Sequence, residues 1–178
     1  LGFAELTSAT GFSDSDGVGE RDQTDLLIRL ADGYEEFPGF SAFTRDTEES
    51  ESFTQEIRLV SSEDSALSWI VGAYYNKYDA SNDDREYTPG FDQFSVDNWE
   101  GEQLRPDSLE YVSIDDTEQT ESAIFGEINY QATEKLSLTL GARFYKYEVE
   151  SSSAVDFPLF NTLFEGAGPT EINLGFDT

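Results

Sequence analysis

The chain has 178 residues, of which 37% are hydrophobic, and its 38 acidic and 10 basic residues give a formal net charge of −28. Such a balance argues against nucleic acid as a partner and against adsorption to anionic lipid headgroups, because no basic stripe could neutralise phosphates. The sequence has no cysteine and no histidine. Disulfides, zinc fingers and thiol or imidazole catalysis are therefore excluded, and a metal site would have to use oxygen ligands.

The first half of the chain contains three predicted strands. Residues 2–13 are rich in Thr, Ser and Phe and lack Lys and Arg, a composition that favours a strand. The stretch 14–50 holds eleven acids and three arginines, and we predict a loop far longer than the usual connection of about 4–6 residues. Residues 53–60 and 67–78 alternate between apolar and polar positions, which predicts two further strands joined by a short turn.

The second half contains a predicted hairpin between two polar stretches. Residues 79–119 carry thirteen acids and two arginines and are predicted to form a second long loop. Residues 122–131 and 136–149 both alternate with a period of two around a tight turn, so we predict an antiparallel hairpin. A third polar tract, 151–178, follows the hairpin and is predicted to be a loop.

Long and short connections alternate strictly along these five predicted strands. In an up-and-down antiparallel sheet this places every long loop at one edge and every short turn at the other, as in outer-membrane barrels. The sequence therefore predicts an all-β fold, part of an outer-membrane β-barrel with long extracellular loops. Five strands cannot close a barrel, so we expect the remaining strands outside this sequence.

Three strand segments resemble the central barrel region of TonB-dependent outer-membrane receptors. They are the segments 55–59 (QEIRL), 69–75 (WIVGAYY) and 138–144 (LTLGARF). The segment 6–14 (LTSATGFSD) fits the same family as an earlier strand. The resemblance covers the strands and says nothing about the loops.

The resemblance implies a barrel of about 22 strands around an amino-terminal plug. Its implied function is the TonB-energised uptake of a scarce nutrient such as a ferric siderophore, cobalamin or a glycan. The implied location is the bacterial outer membrane, with the loops extracellular. The implied partners are outer-membrane lipid, the remainder of the barrel and plug, TonB and a small-molecule ligand. We expect the plug and the TonB-binding segment outside this sequence.

Aromatic residues within the acidic loops are candidate ligand contacts. Phe37, Phe40, Phe91 and Trp99 are the residues that we assign to this role, because small-molecule pockets combine aromatic walls with few polar groups. Packing of one loop against another and against Tyr87 is the favoured alternative.

Carboxylates near the start of the first acidic stretch are spaced like the beginning of a calcium loop. Asp14, Asp16 and Glu20 are the candidate ligands, since Ca²⁺ prefers clusters of oxygen ligands. The EF-hand pattern is not completed after Gly17. A solvated acidic turn is therefore the favoured interpretation, and calcium stays a candidate cofactor of the acidic loops.

Two further predictions concern the end of the chain and the polar faces of the strands. Residues 156–166 have a proline early and a glycine late, which predicts a short helix over the barrel mouth. The residues that this short helix would bury are Phe157, Leu159, Phe160, Leu163 and Phe164.

Arg58, Glu127 and Arg143 are predicted to form a ladder of charges that lines the lumen, with structural pairing favoured over a role in transport.

A function without a membrane is the main alternative. A secreted, soluble all-β binding or surface module could use calcium to offset its charge. Such a module would bury one sheet face against a second sheet, whereas a barrel strand turns that face to lipid. We expect no enzyme, because adjacent acids such as Asp83 and Asp84 point apart on a strand and no nucleophile or base accompanies them.

Overall fold

The computed structural model describes residues 3–25, 41–62 and 66–177. These residues form an all-β fold. In chain order the elements are β1 (Ala4–Asp22), β2 (Phe43–Ser61), β3 (Leu67–Tyr87), α1 (Phe91–Asn98), β4 (Leu109–Thr133), β5 (Leu136–Asp156), α2 (Pro158–Phe164) and β6 (Gly175–Asp177).

The strands form one sheet in which spatial order equals chain order, β1-β2-β3-β4-β5-β6. The five long strands, β1 to β5, are antiparallel and run up and down. The short β6 pairs antiparallel with β5 and places Ala154 opposite Phe176. The prediction of an up-and-down antiparallel sheet with five long strands is therefore confirmed.

The strands are longer than predicted, which corrects the predicted loops 14–50, 79–119 and 151–178. Each of these stretches contains strand residues, because β1 to β5 are 19 to 25 residues long. The apolar alternation stops where the acids begin, so hydrophobic patterning does not detect these ends. The backbone ladder still satisfies the peptide groups there, and cross-strand pairs such as Arg45 Nε to Glu20 Oε1 at 2.8 Å join the strands.

The chain folds as two compact units. Unit 1 contains Leu1–Asp14, Ser50–Asp79 and Thr117–Glu150, the strand segments that carry the apolar alternation. At its short connections the Gln131 amide donates to the Ala66 carbonyl at 2.8 Å. Unit 1 is therefore the part of the sheet whose pairing the hydrophobic pattern predicts.

Unit 2 contains Ser15–Glu49, Ala80–Asp116 and Ser151–Thr178. Its polar strand ends accompany α1 and α2, which pack against each other. The small core of this unit consists of Ala42, Phe91, Leu159 and Leu163, with Phe94 and Val96 partly buried against it.

The predicted helix within residues 156–166 is confirmed as α2. A proline in its first turn starts the helix because its missing N–H needs no partner there. The predicted burial is only partly correct. Leu159 and Leu163 are buried, whereas Phe157, Phe160 and Phe164 are exposed, since so short a helix buries a single side.

Candidate functional site

Two arginines contact aromatic rings on the polar face of unit 1. The guanidinium carbon of Arg143 lies 5.4 Å from the Tyr74 ring centroid and 5.8 Å from that of Phe125. The guanidinium carbon of Arg58 lies 6.0 Å from the Phe125 centroid. Cations at these distances are attracted by the ring quadrupole, so Phe125 links β2, β4 and β5 on this face.

Gly72 allows Phe125 to lie directly over β3. A Cβ at position 72 would be 2.4 Å from Phe125 Cζ and 2.9 Å from the Ile57 carbonyl oxygen. Both distances are shorter than van der Waals contact, so a side chain here would displace the ring or the backbone. The glycine therefore positions the aromatic centre of the arginine cluster.

The three residues of the predicted ladder of charges lie together, and the two arginines pair with acids other than Glu127. Arg58, Glu127 and Arg143 line one open recess of about 530 Å³. Arg143 pairs with Glu121 at 2.8 Å, and Arg58 pairs with Glu56. Each pair is substantially exposed, so its contribution is about 0.2–1 kcal/mol. The pairs orient the guanidinium groups along the polar face.

The opposite face of unit 1 exposes large apolar side chains. Leu140 and Phe144 on β5 are 77% and 71% exposed. In the described part of the chain no second sheet covers this face. Contiguous exposed apolar surface of this kind marks a contact with protein or with membrane. Other exposed members of this face are Phe53, Ile57, Val71, Tyr75, Ile124, Ile128, Tyr130 and Leu138.

The candidate ligand-binding aromatics in unit 2 form an edge-to-face cluster. The Trp99 ring lies 5.4 Å from that of Phe91 and 5.1 Å from that of Phe94, at interplanar angles of 77° and 80°. Phe91 is buried in the small core. Phe37 and Phe40 lie outside the described residues. The described pair is therefore brought together within one short segment, whereas Tyr87 stacks on Phe43, and a role in ligand binding stays a prediction.

The candidate calcium ligands lie on a strand instead of a turn. Asp14, Asp16 and Glu20 all belong to β1, where alternate residues are about 7 Å apart and share a face. Glu20 already pairs with Arg45. Among residues 3–25, 41–62 and 66–177 no group of three or more acidic side chains could hold a metal ion. Calcium binding by the acidic stretches stays a prediction.

A network of carboxylates in unit 2 was not predicted. Burial, followed by a hydrogen bond with Asp46, raises the pKa of Asp84 to about 6, while Arg21 opposes the rise. Burial, followed by repulsion from Glu110, raises the pKa of Glu86. Asp84 therefore holds a proton more strongly than an isolated carboxylate does.

We expect unit 2 to become more stable as the pH falls from about 7 to about 5. Folding raises the pKa of Asp84 from 3.8 to about 6, so the folded state binds more protons than the unfolded state in this range. Stability is therefore gained as pH falls and lost as pH rises through the folded pKa. The melting temperature of the wild-type chain should therefore rise between pH 7 and pH 5. In Asp84→Asn this rise should be clearly smaller.

The matched control for this experiment is Asp83→Asn. Asp83 is the neighbouring carboxylate, and it pairs with Arg85 at 2.7 Å instead of with another acid. This variant should keep the pH dependence of the wild-type chain. Equal pH dependence in Asp84→Asn and the wild-type chain would contradict the assignment.

Sequence reasoning also missed Arg105, whose side chain is fully buried in unit 2. Its Nη1 donates to Thr162 Oγ1 at 3.1 Å and to the Glu171 carbonyl at 2.8 Å. Its Nη2 donates to Asp107 Oδ2 at 3.0 Å, and its Nε lies 2.8 Å from Asp107 Oδ1. One signal was present, since Arg105 is the single basic residue between Arg85 and Lys135.

Comparison with models of known protein families and with curated proteins gives no match. No helix among the described residues is long and apolar enough to cross a membrane. The functional assignment therefore depends on the two faces of unit 1 and on the polar strands and helices of unit 2.

Proposed function

We propose that this chain is part of a TonB-dependent receptor in the bacterial outer membrane. In this proposal the strand segments with apolar alternation cross the lipid, and the long acidic stretches of the chain are extracellular. The receptor takes up a scarce nutrient such as a ferric siderophore, cobalamin or a glycan, without covalent chemistry of its own. Its partners are outer-membrane lipid, the remaining barrel strands and plug, TonB and the small-molecule ligand.

The observation that carries the proposal is the division of unit 1 into two unlike faces. Leu138, Leu140 and Phe144 of β5 are exposed on one face. Arg143, between them in sequence, contacts Glu121 and an aromatic ring on the other. Strands that alternate apolar and polar residues in this way suit a barrel with lipid outside and a polar lumen inside. In water the apolar face would be unfavourable by roughly 25 cal/mol for each Å² exposed.

The distribution of charge supports the same arrangement. Unit 2 contains 25 acids and five arginines, whereas unit 1 contains 13 acids and five basic residues. Charges on the lipid face of a barrel are destabilising, and more so near the midplane. The excess of acids in unit 2 therefore suits an aqueous environment for that unit.

The experiment that tests the proposal is Leu140→Arg in the full-length receptor, with its remaining barrel strands, folded into bilayers. If Leu140 faces hydrocarbon, arginine should lower the free energy of unfolding by about 2–4 kcal/mol. If the face is in water, the change should be within about 0.5 kcal/mol, because an exposed side chain is replaced by a solvated one. Denaturant unfolding from bilayers measures the difference.

Two control variants separate lipid from a packed protein interface. Thr139→Arg, one residue away and on the polar face, should be nearly neutral. Leu140→Phe should also be nearly neutral in lipid, but a close-packed interface would resist it by about 1–3 kcal/mol. A neutral Leu140→Arg would overturn the membrane assignment. A costly Leu140→Phe beside a costly Leu140→Arg would also overturn it, and would favour a soluble binding module whose second sheet packs on this face.

A further inference from the structure

Helix α2 presents aromatic rings to the surface of unit 2. Phe157, which immediately precedes the helix, and Phe160 are both 54% exposed, and Phe164 is 41% exposed. The spacing of four residues places Phe160 and Phe164 on one side of the helix, and Phe157 lies just before its first turn. Unit 2 therefore has an exposed aromatic surface that is not part of its small core.

The opposite side of α2 explains why these rings stay outside. Leu159, Thr162 and Leu163 are buried, together with Pro158, and they occupy the arc of the helix that faces the small core. The exposed rings are nonetheless ordered by contacts with one another and with β4. Phe160 and Phe164 lie 5.3 Å apart, and Phe157 lies 5.4 Å from Tyr111 in an edge-to-face contact.

The surroundings of this aromatic surface are anionic. We define the helical lobe as residues 88–108 and 157–174, which contain seven acids and one basic residue, Arg105. Because Arg105 is fully buried, the described surface of the lobe carries only negative side-chain charges. Two exposed acids adjoin α2. Glu165 follows its last residue, and the Glu102 amide donates to the Leu163 carbonyl at 3.0 Å.

We propose that the outer side of α2 is a docking surface for a cationic amphipathic peptide segment. Lysine or arginine side chains would lie over the exposed ring faces, where cation–π attraction favours them. They would also meet the complementary charges of Glu102 and Glu165. The apolar residues of the segment would pack on the edges of Phe160 and Phe164. This docking is distinct from nutrient uptake and does not depend on it.

The negative charge of the helical lobe favours a cationic peptide over the other partners that an aromatic surface could accept. An anionic partner would be repelled by the lobe and, among its described residues, would find no accessible cation. A neutral apolar partner would bring no charge complementary to the exposed acids. A second copy of this chain would bring a second lobe of the same sign.

The test is isothermal titration of the whole chain, held in neutral detergent micelles, with a blocked hexapeptide of alternating lysine and phenylalanine. Empty micelles supply the blank. We expect saturable binding that weakens as salt is added, since the exposed charges are screened. The same hexapeptide with glutamate in place of lysine should not bind. Absence of saturable binding by the lysine peptide, or equal binding by the glutamate peptide, would overturn the proposal.

Variants locate the binding surface. Combined Phe160→Ser and Phe164→Ser should weaken binding roughly fivefold to tenfold, the effect expected for two exposed cation–π contacts. Both rings are exposed, so the fold should survive. Phe12→Ser removes a still more exposed phenylalanine from β1 and should leave binding unchanged. Equal weakening by both sets of variants, or no weakening by the first, would overturn the assignment to α2.

The acids provide an independent check. Combined Glu102→Gln and Glu165→Gln should weaken binding of the lysine peptide and reduce its salt dependence. Unchanged affinity and unchanged salt dependence would show that these acids do not meet the cations, and would overturn the proposed docking mode.

Discussion

Replacement of Arg105 by alanine is expected to destabilise unit 2 by at least about 1–3 kcal/mol, the cost of leaving a buried polar group without its partner. Asp107 is 39% exposed, so loss of its ion pair should add little. The change would leave the Glu171 carbonyl, Thr162 Oγ1 and Asp107 without their guanidinium donor. These groups belong to separate chain segments, so the loss should loosen the helical lobe as a whole. Amide hydrogen exchange of α1 and α2, together with denaturant unfolding, measures the effect.

The comparison variants for Arg105 separate burial from charge. Arg45→Ala removes an arginine that is about half exposed and pairs with Glu20, and it should cost no more than about 1 kcal/mol. Arg105→Lys keeps the charge but cannot reach all the acceptors of the planar guanidinium, so it should fall between the two. Similar effects of Arg105→Ala and Arg45→Ala would refute the central role of Arg105.

Leu163→Ala is expected to lower the free energy of unfolding of unit 2 by about 2–5 kcal/mol, the range for truncating a buried leucine. Leu163 is buried beside Phe91 and Leu159. Its Cδ2 would be only 2.9 Å from a Cβ at Gly101, so the site is tightly filled. Removing the side chain leaves a cavity between α1 and α2 that the surrounding backbone cannot fully close.

The control for Leu163 lies on the same helix. Phe160→Ala removes a larger side chain from the exposed side of α2 and should change stability by no more than about 0.5 kcal/mol. Thermal unfolding followed by the fluorescence of Trp99, which packs against Phe91, reports on the lobe. If Phe160→Ala were as costly as Leu163→Ala, the inward and outward sides of α2 would be wrongly assigned.

The acidic strand ends give unit 2 its electrostatic character. Its 25 acids face only five arginines, and each of Arg45, Arg85 and Arg105 contacts a carboxylate. Asp84 and Asp46 instead share a hydrogen bond between two acids. These ion pairs, and below about pH 6 the proton on Asp84, thus reduce the repulsion that so large a negative charge creates.

The sequence alone determined the order of the strands and the type of sheet. In residues 136–144 the alternation of Leu136, Leu138 and Leu140 with polar residues specifies a strand with one apolar face. The proline at the start of α2 likewise specified a helix start, because only the first turn accepts it without loss of a hydrogen bond. These are local signals, carried by neighbouring residues of one segment.

Only the tertiary structure decided where the strands end and which polar groups meet. β3 continues to Tyr87 although its last residues are mostly charged, because its ladder partners hold the strand and its polar side chains leave no apolar pattern. Arg105 and Glu171 meet across 66 residues of sequence, as Asp46 and Asp84 meet across two strands. Such contacts depend on the register and packing of distant segments, which no local pattern of residues encodes.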